Sequence, residues 1–80
     1  MKISYDPKYN IAYIKFRDKQ KAVKTLSLSD EINVDIASDG KVYGIELLNA
    51  NLQLQMTKRN EFTVTDDSTG KSTSVSFVGA

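Results

Sequence analysis

The chain has no cysteine and no histidine. Without cysteine there is no disulfide and no thiolate metal site. Without histidine the commonest metal ligand and the commonest general base are both missing. Zinc enzymes, cysteine proteases and Ser-His-Asp hydrolases are thereby excluded. No apolar run approaches the roughly 20 residues of a membrane helix, so no membrane partner is expected. The opening residues, Met1 to Pro7, hold no apolar stretch of the signal-peptide kind. Together with the lack of cysteine, which suits a reducing compartment, this predicts a cytoplasmic protein.

What is present is short. Eighty residues make one domain. Such a chain buries only about 60–65% of its unfolded surface, so its core is modest. Domains of this size often need a staple or a partner. Formal net charge is +1, but its distribution is uneven. Residues 8–24 carry Lys8, Lys15, Arg17, Lys19, Lys21 and Lys24 against Asp18, a local net of +5. Residues 30–46 carry Asp30, Glu31, Asp35, Asp39 and Glu46 against Lys41, a local net of −4.

Hydrophobic periodicity points to strands. Ile32, Val34 and Ile36 alternate with Glu31, Asn33 and Asp35, the period of a half-buried strand. Asp39-Gly40 then predicts a two-residue type I′ hairpin turn. In that register Ser38 faces Lys41, Ile36 faces Tyr43, Val34 faces Ile45 and Ile32 faces Leu47. All three apolar pairs then share one side, which a one-residue slip would destroy. The opposite side places Asn33 across from Glu46 and Asp35 across from Gly44. A first hairpin joins Ile3 and Tyr5, through a turn at Asp6-Pro7-Lys8-Tyr9-Asn10, to a strand with Ala12, Ile14 and Phe16 on one face. Ile11, Tyr13, Lys15 and Arg17 take its other face. A further strand spans 22–28. Residues 49–59 fit a helix stripe (Leu48, Leu52, Met56) or a strand, and their helix-forming composition favours a short helix. Phe62, Val64, Val75 and Phe77 outline a last hairpin turning at 67–71. The expected fold class is mainly β (α+β): a small antiparallel sheet of consecutive hairpins with one short helix near 49–59.

Several of these residues form a recognisable pattern. The start reads Met1-Lys2-Ile3-x-Tyr5-Asp6-Pro7, followed by Ala12-Tyr13-Ile14. The middle reads Ile32-x-Val34-Asp35, then Asp39-Gly40-x-Val42-x-Gly44-Ile45-Glu46-x-Leu48-Asn49-Ala50. Over residues 1–50 this resembles domain-of-unknown-function family 2283, small proteins of bacteria, archaea and their phages. The resemblance implies a compact β-rich domain and a prokaryotic or viral source. It brings no established activity, cofactor or site. Family members tend to carry acidic residues after the Asp-Pro turn, where this chain has Lys8, Tyr9 and Asn10. The 60–80 hairpin lies beyond the matching stretch and reads as a C-terminal extension.

Three surfaces deserve chemical weighing. Asp35 and Glu46 share the non-core face of one hairpin. Two carboxylates in reach can do acid–base work or hold a hard cation. A solvated face paired to lysines is the ordinary alternative for surface carboxylates. The Asp66-Asp67-Ser68-Thr69-Gly70 loop lacks the alternating ligands of a calcium loop and reads as a turn. Tyr13, Lys15, Arg17 and Lys19 mix aromatics and cations as a single-stranded nucleic-acid platform does. Against that, the chain is not basic overall, and neutralisation by the acidic hairpin is the simpler account. Finally, Ile11 and Tyr13 make strand two apolar on both faces, so something must cover the second one. The 49–59 helix or another subunit could do so. Opposite charges on successive hairpins, a small core and open edges suit self-association or strand addition to a protein partner. Gly44 marks a bulge or a close packing approach. The sequence therefore predicts a non-catalytic interaction or regulatory protein without cofactor or metal. Ile11, Tyr13, Lys15, Arg17 and Lys19 form its candidate surface, and nucleic-acid binding is the alternative.

Overall fold

Alternating apolar and polar residues resolve into seven strands in the computed structural model, which describes residues 1–18, 23–55 and 61–76. The strands are β1 (Lys2–Asp6), β2 (Ile11–Lys15), β3 (Val23–Ser29), β4 (Ile32–Ala37), β5 (Val42–Leu48), β6 (Glu61–Asp66) and β7 (Lys71–Ser76). A single turn of helix, α1 (Ala50–Gln53), follows β5. Strands β1 to β5 form one antiparallel sheet in the order β1-β2-β5-β4-β3, and β6 and β7 pair separately. The β3-β4-β5 meander thus returns its last strand beside β2, a Greek-key arrangement.

The expected registers are largely observed. Val34 lies opposite Ile45, Ile32 opposite Leu47, Asn33 opposite Glu46 and Asp35 opposite Gly44. The turn itself differs from expectation. Ile36 pairs with Val42 rather than Tyr43, and Ala37, not Ser38, bonds to Lys41. The loop has three residues, Ser38-Asp39-Gly40, closed by the Gly40 N–H donating to the Ala37 carbonyl at 2.9 Å. Only Gly40 takes positive φ, 85°. A type I′ turn would need Asp39 there too, where a side chain costs about 1–2 kcal/mol. Asp39 instead uses its carboxylate to accept the Lys41 N–H at 3.0 Å. The extra loop residue shifts the pairing by one. A bulge between Asp35 and Ile36, with Tyr43 as the additional residue, shifts it back.

The β1–β2 and β6–β7 hairpins share one device. In each, an Asp ends the first strand and its carboxylate accepts a backbone N–H two residues on: Asp6 from Lys8 and Asp66 from Ser68, both at 2.9 Å. Each loop then closes on a residue of positive φ, Asn10 at 57° and Gly70 at 75°. The helix is shorter than the 49–59 span expected, ending at Gln53. Residues 56–60 of that span, and Phe77 of the last hairpin, lie outside the described residues.

Burial is shallow. Among the described residues the only fully packed apolar side chains are alanines: Ala12, Ala37 and Ala50. Among the described residues no large side chain is completely buried.

Candidate functional site

The pairings across the sheet sort its side chains onto two faces. Partners directly opposite one another share a face, and alternate residues of a strand do so too. One row runs Ser4–Tyr13–Glu46–Asn33–Ser27 across all five strands. Beside it runs Lys2–Lys15–Gly44–Asp35–Thr25. These rows make a polar face. On the reverse side runs Ile3–Ile14–Ile45–Val34–Leu26, apolar in every strand.

The polar face is closed by its own contacts. Tyr13 donates its hydroxyl to Asp35 Oδ2 at 2.7 Å. It reaches from β2 to β4 by lying over Gly44 of β5. A Cβ on Gly44 would sit 2.6 Å from the Tyr13 Cζ and 2.8 Å from the Ile14 carbonyl oxygen. Glycine is there to let the ring pass, and the bulge at Tyr43 adjoins it, so the position combines a bulge with a close approach. Thr25 donates to the other Asp35 oxygen at 2.5 Å. Asn33 donates to Glu46 at 2.8 Å. Burial, reinforced by the bond to Asp35, pushes the Tyr13 hydroxyl well above its ordinary pKa.

Each residue of the expected surface can now be placed. Ile11 lies between Asp6 and Leu48 on the polar side, half-buried. Tyr13 spends its hydroxyl on Asp35. Lys15 lies 3.8 Å from Asp18. Arg17 Nη1 reaches Asp39 Oδ2 at 2.7 Å and holds that carboxyl below its usual range, helped by the Lys41 N–H. This pair ties the chain leaving β2 to the β4–β5 turn. Lys19 lies outside the described residues. Asp35 and Glu46 do share a face, and each accepts a hydrogen bond from this chain. Among the described residues no three acidic groups converge as a metal site would require.

Two features were not anticipated from the sequence. The first is an asparagine clasp at the α1 end of the sheet. Asn10 Nδ2 donates to Asn51 Oδ1 at 2.7 Å and to Asn49 Oδ1 at 3.2 Å. Asn10 Oδ1 accepts the Asn51 N–H at 2.9 Å, and the Asn10 carbonyl accepts the Ala50 N–H at 3.0 Å. Gln53 completes the end by donating to the carbonyls of Glu31 and Leu48. Thus α1 is fastened to the end of the sheet by Asn10 and by the carbonyls of Glu31 and Leu48. Its signal was the Asn49-Ala50-Asn51 triplet.

The second feature is the apolar face itself. Strand alternation had placed its members together, while the cover expected from a longer helix was for the opposite, Ile11/Tyr13 side. Phe62 and Val75 of the β6–β7 hairpin meet Met1 and Ile3 at the β1 side around an open cleft of about 230 Å³. Toward β3 the apolar side chains stand open: Leu26 is 40% exposed and Leu28 66%. Phe16 and Val42 are exposed as well.

A five-stranded Greek-key sheet, polar on one face and apolar on the other and capped at one end by a single helical turn, defines a small β domain. The family described as "Protein of unknown function (DUF2283)" matches residues 2–51, and the chain belongs to it. The match ends within α1, so it takes in the whole five-stranded sheet and half of the clasping helix. Neither a curated protein nor a solved structure matches the chain. No helix among the described residues is long and apolar enough to cross a membrane.

Proposed function

We propose that this is a small non-catalytic protein-interaction domain that docks through the apolar face of its five-stranded sheet. The carrying observation is the β3 end of that face, where Leu26 and Leu28 are exposed beside the half-buried Val34 and Ile45. Apolar area left in water forgoes roughly 25 cal/mol per Å² of favourable transfer. Contiguous apolar patches on small proteins commonly mark interaction sites. The contact surface is thus moved from the Ile11/Tyr13 side, whose polar groups are engaged internally, to the reverse side. A reducing cytoplasm suits a chain without cysteine.

The cationic strand weighed for nucleic acid gains no support from the geometry. Its described members, Lys15 and Arg17, face carboxylates of their own chain.

A photo-crosslinking residue placed at Leu26 tests the proposal in living cells. It should yield covalent protein adducts, whether to another protein or to the same one. The same probe at Thr63, on the hydroxyl-lined side of β6, should yield none. Equal labelling from both sites, or none from either, would sink the docking face.

A further inference from the structure

We propose that Asp39-Gly40 is a site of spontaneous isoaspartate formation, and that Arg17 is the group that holds it shut. The modification needs no enzyme and no co-reactant beyond water.

The sequence sets the reactivity. Cyclisation at an aspartate joins its side chain to the backbone nitrogen of the next residue, so a side chain on that residue obstructs it. Asp39-Gly40 is the one place in the chain where an Asp or Asn precedes glycine. Both residues are exposed in the β4–β5 loop. A Cβ built on Gly40 would meet nothing within 4 Å, so a five-membered imide finds open space there. In the first step the Gly40 nitrogen attacks Asp39 Cγ. The N–Cγ bond forms, the Cγ–O bond breaks, and the hydroxyl leaves with the amide proton as water. Water then reopens the ring at one of its two carbonyls. Opening at Cγ restores aspartate. Opening at the main-chain carbonyl of Asp39 leaves the chain running through Cγ, an isoaspartate of unchanged mass.

The fold sets the barrier, through hydrogen bonds on both reacting groups. The Gly40 N–H donates to the Ala37 carbonyl at 2.9 Å, so the nucleophile must leave the turn before it attacks. Asp39 Oδ1 accepts the Lys41 N–H at 3.0 Å, and Oδ2 accepts from Arg17 Nη1 at 2.7 Å. Cyclisation expels one of these oxygens as water and so proceeds from the protonated carboxyl. Bonds from Arg17 and Lys41 favour the carboxylate instead. The Arg17 bond comes from a side chain outside the loop, so it can be removed without changing the loop's own sequence. Isomerisation would lengthen the loop by one backbone atom and displace its carboxylate. The chain leaving β2 would then lose its tie to the β4–β5 turn.

Ageing the full chain in warm neutral buffer tests this. Peptide mapping with electron-transfer fragmentation locates isoaspartate despite its unchanged mass. The same chain unfolded in guanidinium chloride supplies the unguarded rate. Folded wild type should isomerise at position 39 about tenfold more slowly than the unfolded chain, because local opening limits it. Folded Arg17→Gln should isomerise several-fold faster than folded wild type. Molar salt should speed wild type toward the variant and leave the variant unchanged, because the exposed ion pair is screened. Amide exchange at Gly40 separates the charge of Arg17 from the integrity of the turn. If exchange rises in step with isomerisation, a loosened turn is the cause and the role given to Arg17 is overturned. Equal rates in wild type and Arg17→Gln overturn it too. Isoaspartate gathering at another position first in the unfolded chain would overturn the site itself.

Discussion

Tyr13 and Ile14 are neighbours in β2, yet they face opposite requirements. Tyr13 points to the polar face and finds Asp35 two strands away, 2.7 Å from its hydroxyl. Ile14 points to the apolar face, where Ile3 and Ile45 stand beside it in the sheet. Hydrogen bonds are directional and can be made within a layer, strand to neighbouring strand. Apolar side chains need neighbours above as well as beside them, because contact on one side only leaves the other in water. A single sheet can therefore complete its polar face alone, but it cannot complete its apolar one. The difference between the faces makes the polar side a matter of internal stability. It leaves the apolar side, on the reading proposed above, to a partner.

The largest effect should come from breaking the polar face at its crossing point. Gly44→Ala puts a methyl into the Tyr13 ring and against the Ile14 carbonyl, and the backbone contact cannot swing aside. A loss of about 3 kcal/mol is expected, in the range of overpacked core sites. Urea denaturation measures it. A loss under about 1 kcal/mol would mean that Tyr13 does not lie over Gly44 in solution.

Next in size is the clasp that closes the end of the sheet. Asn10→Ala removes the bonds to Asn49 and Asn51 and leaves an ordinary side chain at a φ of 57°. About 2–3 kcal/mol should be lost. Asn10→Gly removes the same bonds but relaxes the backbone, so it should recover about 1 kcal/mol. Equal losses in the two variants would show that the left-handed conformation contributes nothing.

A smaller effect sharpens the polar face itself. Tyr13→Phe keeps the ring over Gly44 and deletes only the hydroxyl, for about 1 kcal/mol. It also carries a pH signature. The Tyr13 hydroxyl stays protonated in the fold to a higher pH than in the unfolded chain. Its contribution is complete below the unfolded value of about 10 and is lost as pH climbs from there toward the folded one. Wild-type stability should fall across that alkaline window more steeply than that of Tyr13→Phe. In a spectrophotometric titration one of the four tyrosines should ionise late. If all four titrate together, the buried bond to Asp35 is absent.

What could be read from the sequence was what is local. Alternation in 31–48 and a nearby turn placed Val34 against Ile45 and Asn33 against Glu46, as found. That register survived a wrong turn type because the bulge at Tyr43 compensates the third loop residue. The family membership was legible for a similar reason, since its motif is a run of short spacings. The Tyr13–Asp35 contact was not legible, because it depends on β2 lying beside β5 and on nothing near either residue in the chain. The asparagine clasp joins residues 39 and 41 positions apart. The helix-forming composition of 49–59 suggested a covering element for the Ile11/Tyr13 side longer than Ala50–Gln53 provides.

The smallest expected effect lies at the end of the sheet opposite the clasp. Arg17 and Asp39 are surface groups, and exposed ion pairs contribute little. Their role is to fasten the chain leaving β2 to the β4–β5 turn, so the measurable quantity is its pH dependence. Arg17 holds the Asp39 carboxyl below its ordinary 3.8, with the Lys41 N–H assisting. A depressed folded pKa stabilises above the unfolded value, and the benefit is lost as pH falls through the folded one. Arg17→Gln should therefore melt slightly below wild type at neutral pH, and the gap should close as pH falls through the lowered folded value of Asp39. High salt at neutral pH should narrow it too, because exposed charges are screened. A gap that persisted in acid would assign the loss to the Arg17 side-chain packing rather than to its charge.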